Sequence, residues 1–192
     1  MTRMSEPPED PVAVGPWRRR TRRIAYENPW VTVWHDEVDR PDGSPGIYGA
    51  VHFANLAVGV VVLDGADRVL LVGQHRYMLD RYSWEIPEGG VPPTETPEEG
   101  ARRELLEETG VTADDWRPIV RFDLSNSVTD ETGWIFSARA VGHGTATPDP
   151  SEDLTVRWVA FEEALAMIDR AEITDAMSIL GLQRVALERR TR

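Results

Sequence analysis

The chain has no cysteine in its 192 residues, which excludes disulfide frameworks, thiolate zinc sites, iron–sulfur ligation and cysteine nucleophiles together. Long apolar runs are missing too. The longest, residues 58–63, is far short of the about 20 residues that cross a bilayer, and the N-terminus has no signal-peptide core. We therefore expect a cytoplasmic protein with no membrane partner. Positive charge is scarce: 21 Lys plus Arg stand against 33 Asp plus Glu, a net charge of −12, which opposes general nucleic-acid binding. The histidines His35, His52, His75 and His143 form no pair at metal-ligand spacing. Neither a Gly-x-Ser-x-Gly nucleophile motif nor a dinucleotide-binding fingerprint occurs.

What is present is the composition of a globular domain, with 41% hydrophobic and 28% charged residues. Residues 1–16 are rich in proline and acid and too poor in apolar groups to order themselves, so a flexible tail is expected. Five arginines follow between Arg18 and Arg23. They suit a solvated strand edge, where charge discourages pairing, or a patch that attracts polyphosphate or a partner chain. Residues 30–35 and 47–53 read as strands flanking an Asp42-Gly43 turn. Residues 57–63 and 69–74 read as buried strands, 83–87 as a short one, and 116–124, 133–141 and 154–159 as three more. Two C-terminal helices, 162–170 and 175–190, carry apolar residues at helical spacing. Strands before and after one central helix indicate a mixed α/β or α+β fold.

The central helix is spelled out in capping chemistry. Thr96 suits the N-cap, Pro97 the first helical position, Glu99 completes a capping box, and Gly110 ends the helix. At about 100° per residue, Glu104, Glu107 and Glu108 share an arc of about 100°, apart from an apolar side formed by Ala101, Leu105 and Leu106. Like charges so spaced repel one another, and those near the C-terminus also meet the negative end of the helix dipole. Something must compensate them. A solvated acidic face is one reading. The other is a Mg²⁺ or Mn²⁺ site, because the glycine- and proline-rich loop expected between Pro87 and the Thr96 cap would add carbonyl oxygens to these hard ligands. A metal-bound polyphosphate suits such a site, since the metal stabilises charge on a leaving phosphate and acidifies a bound water.

The order Gly89, Glu95, Arg103-Glu104-Leu105, Glu107-Glu108, Gly110-Val111 resembles the Nudix box at every fixed position. Chance would produce it in fewer than about one chain in a million. The resemblance implies an α/β/α sandwich around a mixed sheet, preceded by an N-terminal antiparallel extension. It divides the chain into the tail at 1–16, a β extension at 17–56 that serves dimerisation and the substrate pocket, and a Nudix domain at 57–192. It also implies Mg²⁺-dependent cleavage of a nucleoside diphosphate linked to another group. Glu104, Glu107 and Glu108 correspond to metal ligands and catalytic residues, the Glu88 carbonyl to a further ligand, and Glu95 with Arg103 to a brace between loop and helix.

Outside the box the chain resembles hydrolases of ADP-ribose and nucleoside diphosphate sugars. The resemblance rests on residues 74–77, Trp84-Glu85-Ile86-Pro87 and Glu172-Ile173-Thr174-Asp175-Ala176. It implies a homodimer, a substrate role for Arg76, Glu85 and Glu131, and Glu152 as a further metal ligand or base, with Asp149 and Asp153 as alternatives. Trp34, like Trp30 and Tyr48, is a candidate for stacking a nucleobase or for packing. Thr94 stands where glycine is common, and Asn126 where ADP-ribose hydrolases usually carry proline. The second departure points towards hexose-bearing substrates. The alternatives are a Nudix hydrolase of nucleoside triphosphates or dinucleoside polyphosphates, and a binding module without turnover.

Overall fold

The computed structural model describes residues 11–149 and 153–191. The chain forms two compact units, one comprising residues up to Ala54 together with Asp123–Glu131, the other Asn55–Phe122 and the residues from Thr132 onward.

The first unit is an antiparallel sheet in sequential order: β1 (Val12–Val14), β2 (Trp17–Glu27), β3 (Val31–Asp39) and β4 (Pro45–Phe53). Its turns are made by short polar side chains. Asn28 Oδ1 accepts from the N–H groups of Trp30 and Val31 at 2.9 and 2.8 Å, and Gly43 supplies φ +82° in the Asp42-Gly43 turn. The expected tail is corrected at its end, because Val12–Val14 pairs antiparallel with Trp17–Arg19. A β-strand needs a partner more than it needs apolar density, and the Gly15-Pro16 turn provides one. The arginines lie along β2, where Arg20 and Arg22 form ion pairs with Asp39 and Asp36 of β3. Segment 123–131 joins this unit through a parallel bridge between Val51 and Thr129, with the Val51 N–H donating to Val128 at 2.8 Å.

The second unit is a seven-stranded mixed sheet. Its path runs β11 (Thr155–Ala160), β6 (Arg68–Arg76), β5 (Leu56–Leu63), β10 (Thr132–His143), β9 (Val111–Asp123), and β5 and β10 are parallel. β5 meets β6 only at Leu63 and Val69; beyond that the two diverge. Into the gap come β7 (Arg81–Glu85), which pairs with β6, and β8 (Glu88–Val91), which pairs with β5. Between them Pro87 lacks an N–H to continue the β6 ladder, while its carbonyl accepts from Val60 at 2.9 Å. The switch of strand partners therefore falls beside the glycine segment.

Helix α1 (Pro97–Thr109) has the expected limits, with Thr96 and Glu99 forming a reciprocal capping box and Gly110 at φ +71° closing it. Its Ala101 and Leu105 share a buried cluster with Val58, Val60 and Val62 of β5. The intervening Val61 points the other way, towards Gly181 of α3 (Ala176–Arg190). α1 and α3 thus cover opposite faces, and α2 (Phe161–Asp169) packs against β6, β11 and α3. This is an α/β/α sandwich. No helix among the described residues is long and apolar enough to cross a membrane.

Candidate active site

The compensation that the acidic helix requires comes from Arg103. Its Nη1 donates to Glu104 at 2.8 Å and to Glu107 at 3.0 Å. Its Nε and Nη2 hold Glu95 at 3.1 to 3.2 Å, and Nη2 also reaches the Gly90 carbonyl at 3.0 Å. One guanidinium therefore joins loop, strand β8 and helix. Its hydrogen bonds to Glu95, Glu104 and Glu107, with the charge of Glu104, hold its pKa above the ordinary value against the effect of burial.

The expected separation of acidic and apolar sides of α1 does not hold. Glu108 is only 4% exposed, whereas Leu106 is 41% exposed. A helical wheel gives relative angles, but the sheet decides which arc is covered, and Glu108 lies only about 20° from Ala101. Its Oε2 accepts from the Glu88 N–H at 3.2 Å. The expected glycine- and proline-rich loop is likewise corrected at its start: residues 88–91 are strand β8, with Glu88 opposite Gly59 and Gly89 opposite Val58. Glycine is a poor strand former, but here it answers a close approach. A Cβ on Gly89 would overlap the Glu104 carboxyl, and a Cβ on Gly90 would come within 2.9 Å of Asn55.

A second cluster lies at the strand switch. Arg76, at the end of β6, directs Nε to both oxygens of Glu85 at 3.0 Å, and shares Nη2 between Glu85 and Glu88 Oε1, the latter at 2.8 Å. Glu85 is 3% exposed. Burial lowers the Arg76 pKa, but bonds and charge from Glu85, with Glu88 and Asp175, hold it above the ordinary value. Burial pushes the Glu88 carboxyl well above the usual range. Asp175, Glu85 and Glu108 act in the same direction, against Arg76. Asp175 caps α3 by accepting from Ser178 N at 2.7 Å, and Ser178 Oγ accepts from Ile86 N at 2.9 Å. The sequence reading missed the Glu88 side chain and Asp175. The N-cap spacing of Asp175 was the available signal for the latter.

The candidates thus fall into distinct places. Glu104, Glu107, Glu108, Glu88, Arg76 and Glu85 come together along β8 and its neighbours. Glu131 and Trp34 belong to the first unit. There Trp34 carries the Arg22 guanidinium at 3.8 Å from its ring centroid and stacks with His52 at 5.0 Å. Trp34 also lines a cavity of about 210 Å³ with Arg22, Tyr48, Asn126 and Asp130. The Glu131 N–H lies 3.4 Å from Thr129 Oγ1. Glu152 lies outside the described residues, while Asp149 and Asp153 are exposed. The segment leading to them is tied to the end of α1, since Gly144 N donates to Gly110 O at 2.6 Å and Thr147 N to Glu107 O at 2.8 Å. A cavity of about 550 Å³ lies elsewhere, bordered by Arg117, Ser137, Arg139, Glu188 and Arg189, and none of the candidates lines it.

Among the described residues, no three acidic or imidazole side chains already enclose a cation point. Arg103 occupies Glu104 and Glu107, and the Glu88 N–H occupies one oxygen of Glu108. The donor chemistry nevertheless fits a hard divalent ion: carboxylates on one helix face the backbone of β8, and the missing Gly89 Cβ leaves room for Glu104 there.

Comparison with known proteins agrees with this layout. The NUDIX domain family matches residues 54–177, and the family described as nucleoside diphosphate sugar hydrolase N-terminal domain matches residues 17–51. An ADP-ribose pyrophosphatase of Mycobacterium tuberculosis is 33% identical over 77% of this chain and 72% of its own length. A CMP-5'-(N-acetyl-N-hydroxy-3-aminopropyl)phosphonate hydrolase of Streptomyces rubellomurinus is 26% identical over 86% of this chain and 80% of its own. The crystal structure of an ADP compounds hydrolase shares the fold, with a TM-score of 0.77 at 19% identity, covering 86% of this chain and 90% of that one. The intact box on the helix–strand scaffold and these matches together place the chain in the Nudix family, as a pyrophosphohydrolase related to the ADP-ribose pyrophosphatases.

Proposed function

We propose that the protein is a Mg²⁺-dependent pyrophosphohydrolase that splits a nucleoside diphosphate sugar or ADP-ribose into a nucleoside monophosphate and a sugar phosphate. The observation that carries this reading is the facing of Glu104 and Glu108 against Gly89 and Glu88 of β8. Glu104, Glu107, Glu108 and the Glu88 carbonyl would hold Mg²⁺ or Mn²⁺, with Glu152 as a further ligand or base. The metal, when bound, supplies Lewis-acid stabilisation of charge on the phosphate oxygens. Arg76, fixed by Glu85, supplies a cation to the diphosphate. Trp34 and Glu131 are assigned to base and sugar contacts, and the first unit to dimerisation. Both relatives named above act on nucleotide compounds, which supports a nucleotide substrate. Asn126 favours a hexose over ribose.

The test is a product assay with Mg²⁺ on ADP-ribose, ADP-glucose, GDP-mannose, nucleoside triphosphates and dinucleoside polyphosphates. Nucleotide sugars or ADP-ribose are expected to give the highest kcat/KM, with activity abolished by chelator. Glu108→Gln is expected to lower kcat at least about 10³-fold, the loss of several kcal/mol of charge stabilisation. A wild-type rate in that variant rejects the assignment of the site. Preference for a triphosphate rejects the substrate class. Sedimentation at equilibrium is expected to report a dimer mass.

A further inference from the structure

Glu88 is an expensive residue for the fold. Its side chain is only 9% exposed, its Oε2 has no hydrogen-bond partner among the described residues, and Asp175, Glu85 and Glu108 all oppose its charge. Arg76 does not need it for neutralisation, because Glu85 already engages both Nε and Nη2. A nearly covered carboxylate left partly unsatisfied costs stability, and its removal leaves Arg76 still paired with Glu85. Groups that cost stability and persist concentrate where function requires them.

What Glu88 adds is orientation. Glu85 holds the Nε side of the Arg76 guanidinium, and Glu88 Oε1 holds Nη2 from a different strand at 2.8 Å. The planar group is then fixed at two points, and Nη1 makes no hydrogen bond among the described residues. The Arg76 side chain keeps 37% of its surface accessible, so this edge is not sealed in the core. Through its N–H to Glu108, the same residue also sets Arg76 in register with the acidic helix.

We propose that the Glu88 carboxylate is a positioning residue: together with Glu85 it clamps the Nε–Nη2 edge of Arg76 and presents Nη1 to an anionic oxygen of the substrate diphosphate. This rests on the pyrophosphohydrolase reading above. A guanidinium already fixed in its plane loses less freedom on binding, so the clamp acts on ground-state affinity. It touches no substrate itself.

The experiment compares the full-length wild type with Glu88→Ala, Glu88→Gln, Arg76→Ala and the Glu88→Ala/Arg76→Ala double variant. Steady-state kinetics use the best substrate of the panel at saturating Mg²⁺, and calorimetry measures the Kd of ADP, which needs no turnover. Glu88→Ala is expected to raise KM and the ADP Kd about 10-fold with kcat within about 3-fold, as for loss of one charge-assisted contact. Glu88→Gln keeps an acceptor for Nη2 and is expected to recover most of that loss. Both variants are expected to melt at or above the wild-type temperature, and the double variant to bind no more weakly than Arg76→Ala. Four outcomes overturn the proposal: unchanged affinity in Glu88→Ala, additivity in the double variant, a fall in kcat with a raised Mg²⁺ requirement, or a lowered Tm in Glu88→Gln. If Arg76→Ala binds ADP like the wild type, the substrate role of Arg76 fails. If the panel shows no turnover while the ADP affinities follow the expected pattern, the catalytic reading alone fails.

Discussion

Arg103 and Arg76 each gather carboxylates beside the same glycine strand, yet they do so in opposite manners. Arg103 is committed on every side, to Glu95, Glu104, Glu107 and the Gly90 carbonyl. Arg76 is committed on one edge, to Glu85 and Glu88, and leaves the other without a partner among the described residues. A guanidinium with all its donors satisfied by its own chain is a brace. One held by a single edge is a cation made available. The same residue type thus stabilises the box in one place and serves a ligand in the other.

The largest test of this contrast removes the brace. Arg103→Ala leaves three carboxylates without their shared counter-ion and is expected to destabilise the protein by about 2 to 3 kcal/mol, by the cost of unpaired, partly buried charge. Calorimetric melting measures it. Mg²⁺ is expected to restore part of the loss in that variant, because a divalent cation takes over the neutralisation and binds only the folded chain. Equal melting temperatures for wild type and variant would show that Arg103 is no brace.

A smaller effect distinguishes the two glycines that Arg103 and the acidic helix press upon. In Gly89→Ala the new methyl overlaps the Glu104 carboxyl, whereas in Gly90→Ala it meets the movable end of Asn55. Overpacking predicts a cost of about 1 to 3 kcal/mol for the first and less for the second. Activity assays are expected to show at least a 10-fold larger drop in kcat for Gly89→Ala, on the order of one displaced catalytic group. Equal losses would mean that the close approach of Glu104 to β8 has no part in the chemistry.

An exposed hydrogen-bonded carboxylate gives the lower end of the scale. Asp130 accepts from His52 at 2.6 Å and from Phe53 N at 3.1 Å in the first unit. Burial works against its charge, but the His52 and Phe53 bonds prevail and hold the carboxyl below the usual aspartate range. An acid with a depressed folded-state pKa contributes its stability above the unfolded value and loses it as pH falls through the folded one. The wild type is therefore expected to melt slightly above Asp130→Asn at neutral pH, with the gap closing on acidification below the ordinary aspartate pKa. A gap that persists in acid would assign the effect to packing instead.

The box helix was legible to the residue. Thr96, Pro97, Glu99 and Gly110 specify its ends through local hydrogen bonding and backbone preference, and the structure places both limits there. The Asp42-Gly43 hairpin was legible for the same reason. Strand β8 was not, because Glu-Gly-Gly-Val has the local chemistry of a loop and becomes a strand only through pairing with β5. Nor was the burial of Glu108, since helical spacing fixes angles between side chains without fixing the direction of the sheet. The Glu88 side chain was overlooked because the box pattern involves only its carbonyl.

The order of residues alone therefore settled which groups could meet along one helix and what chemistry they could share, because caps, turns and periodicity act over a few residues. Tertiary structure decided which carboxylates are covered, which arginine each one meets, and which donors stay available. Those outcomes depend on strands brought together from distant parts of the chain, and no local preference encodes them.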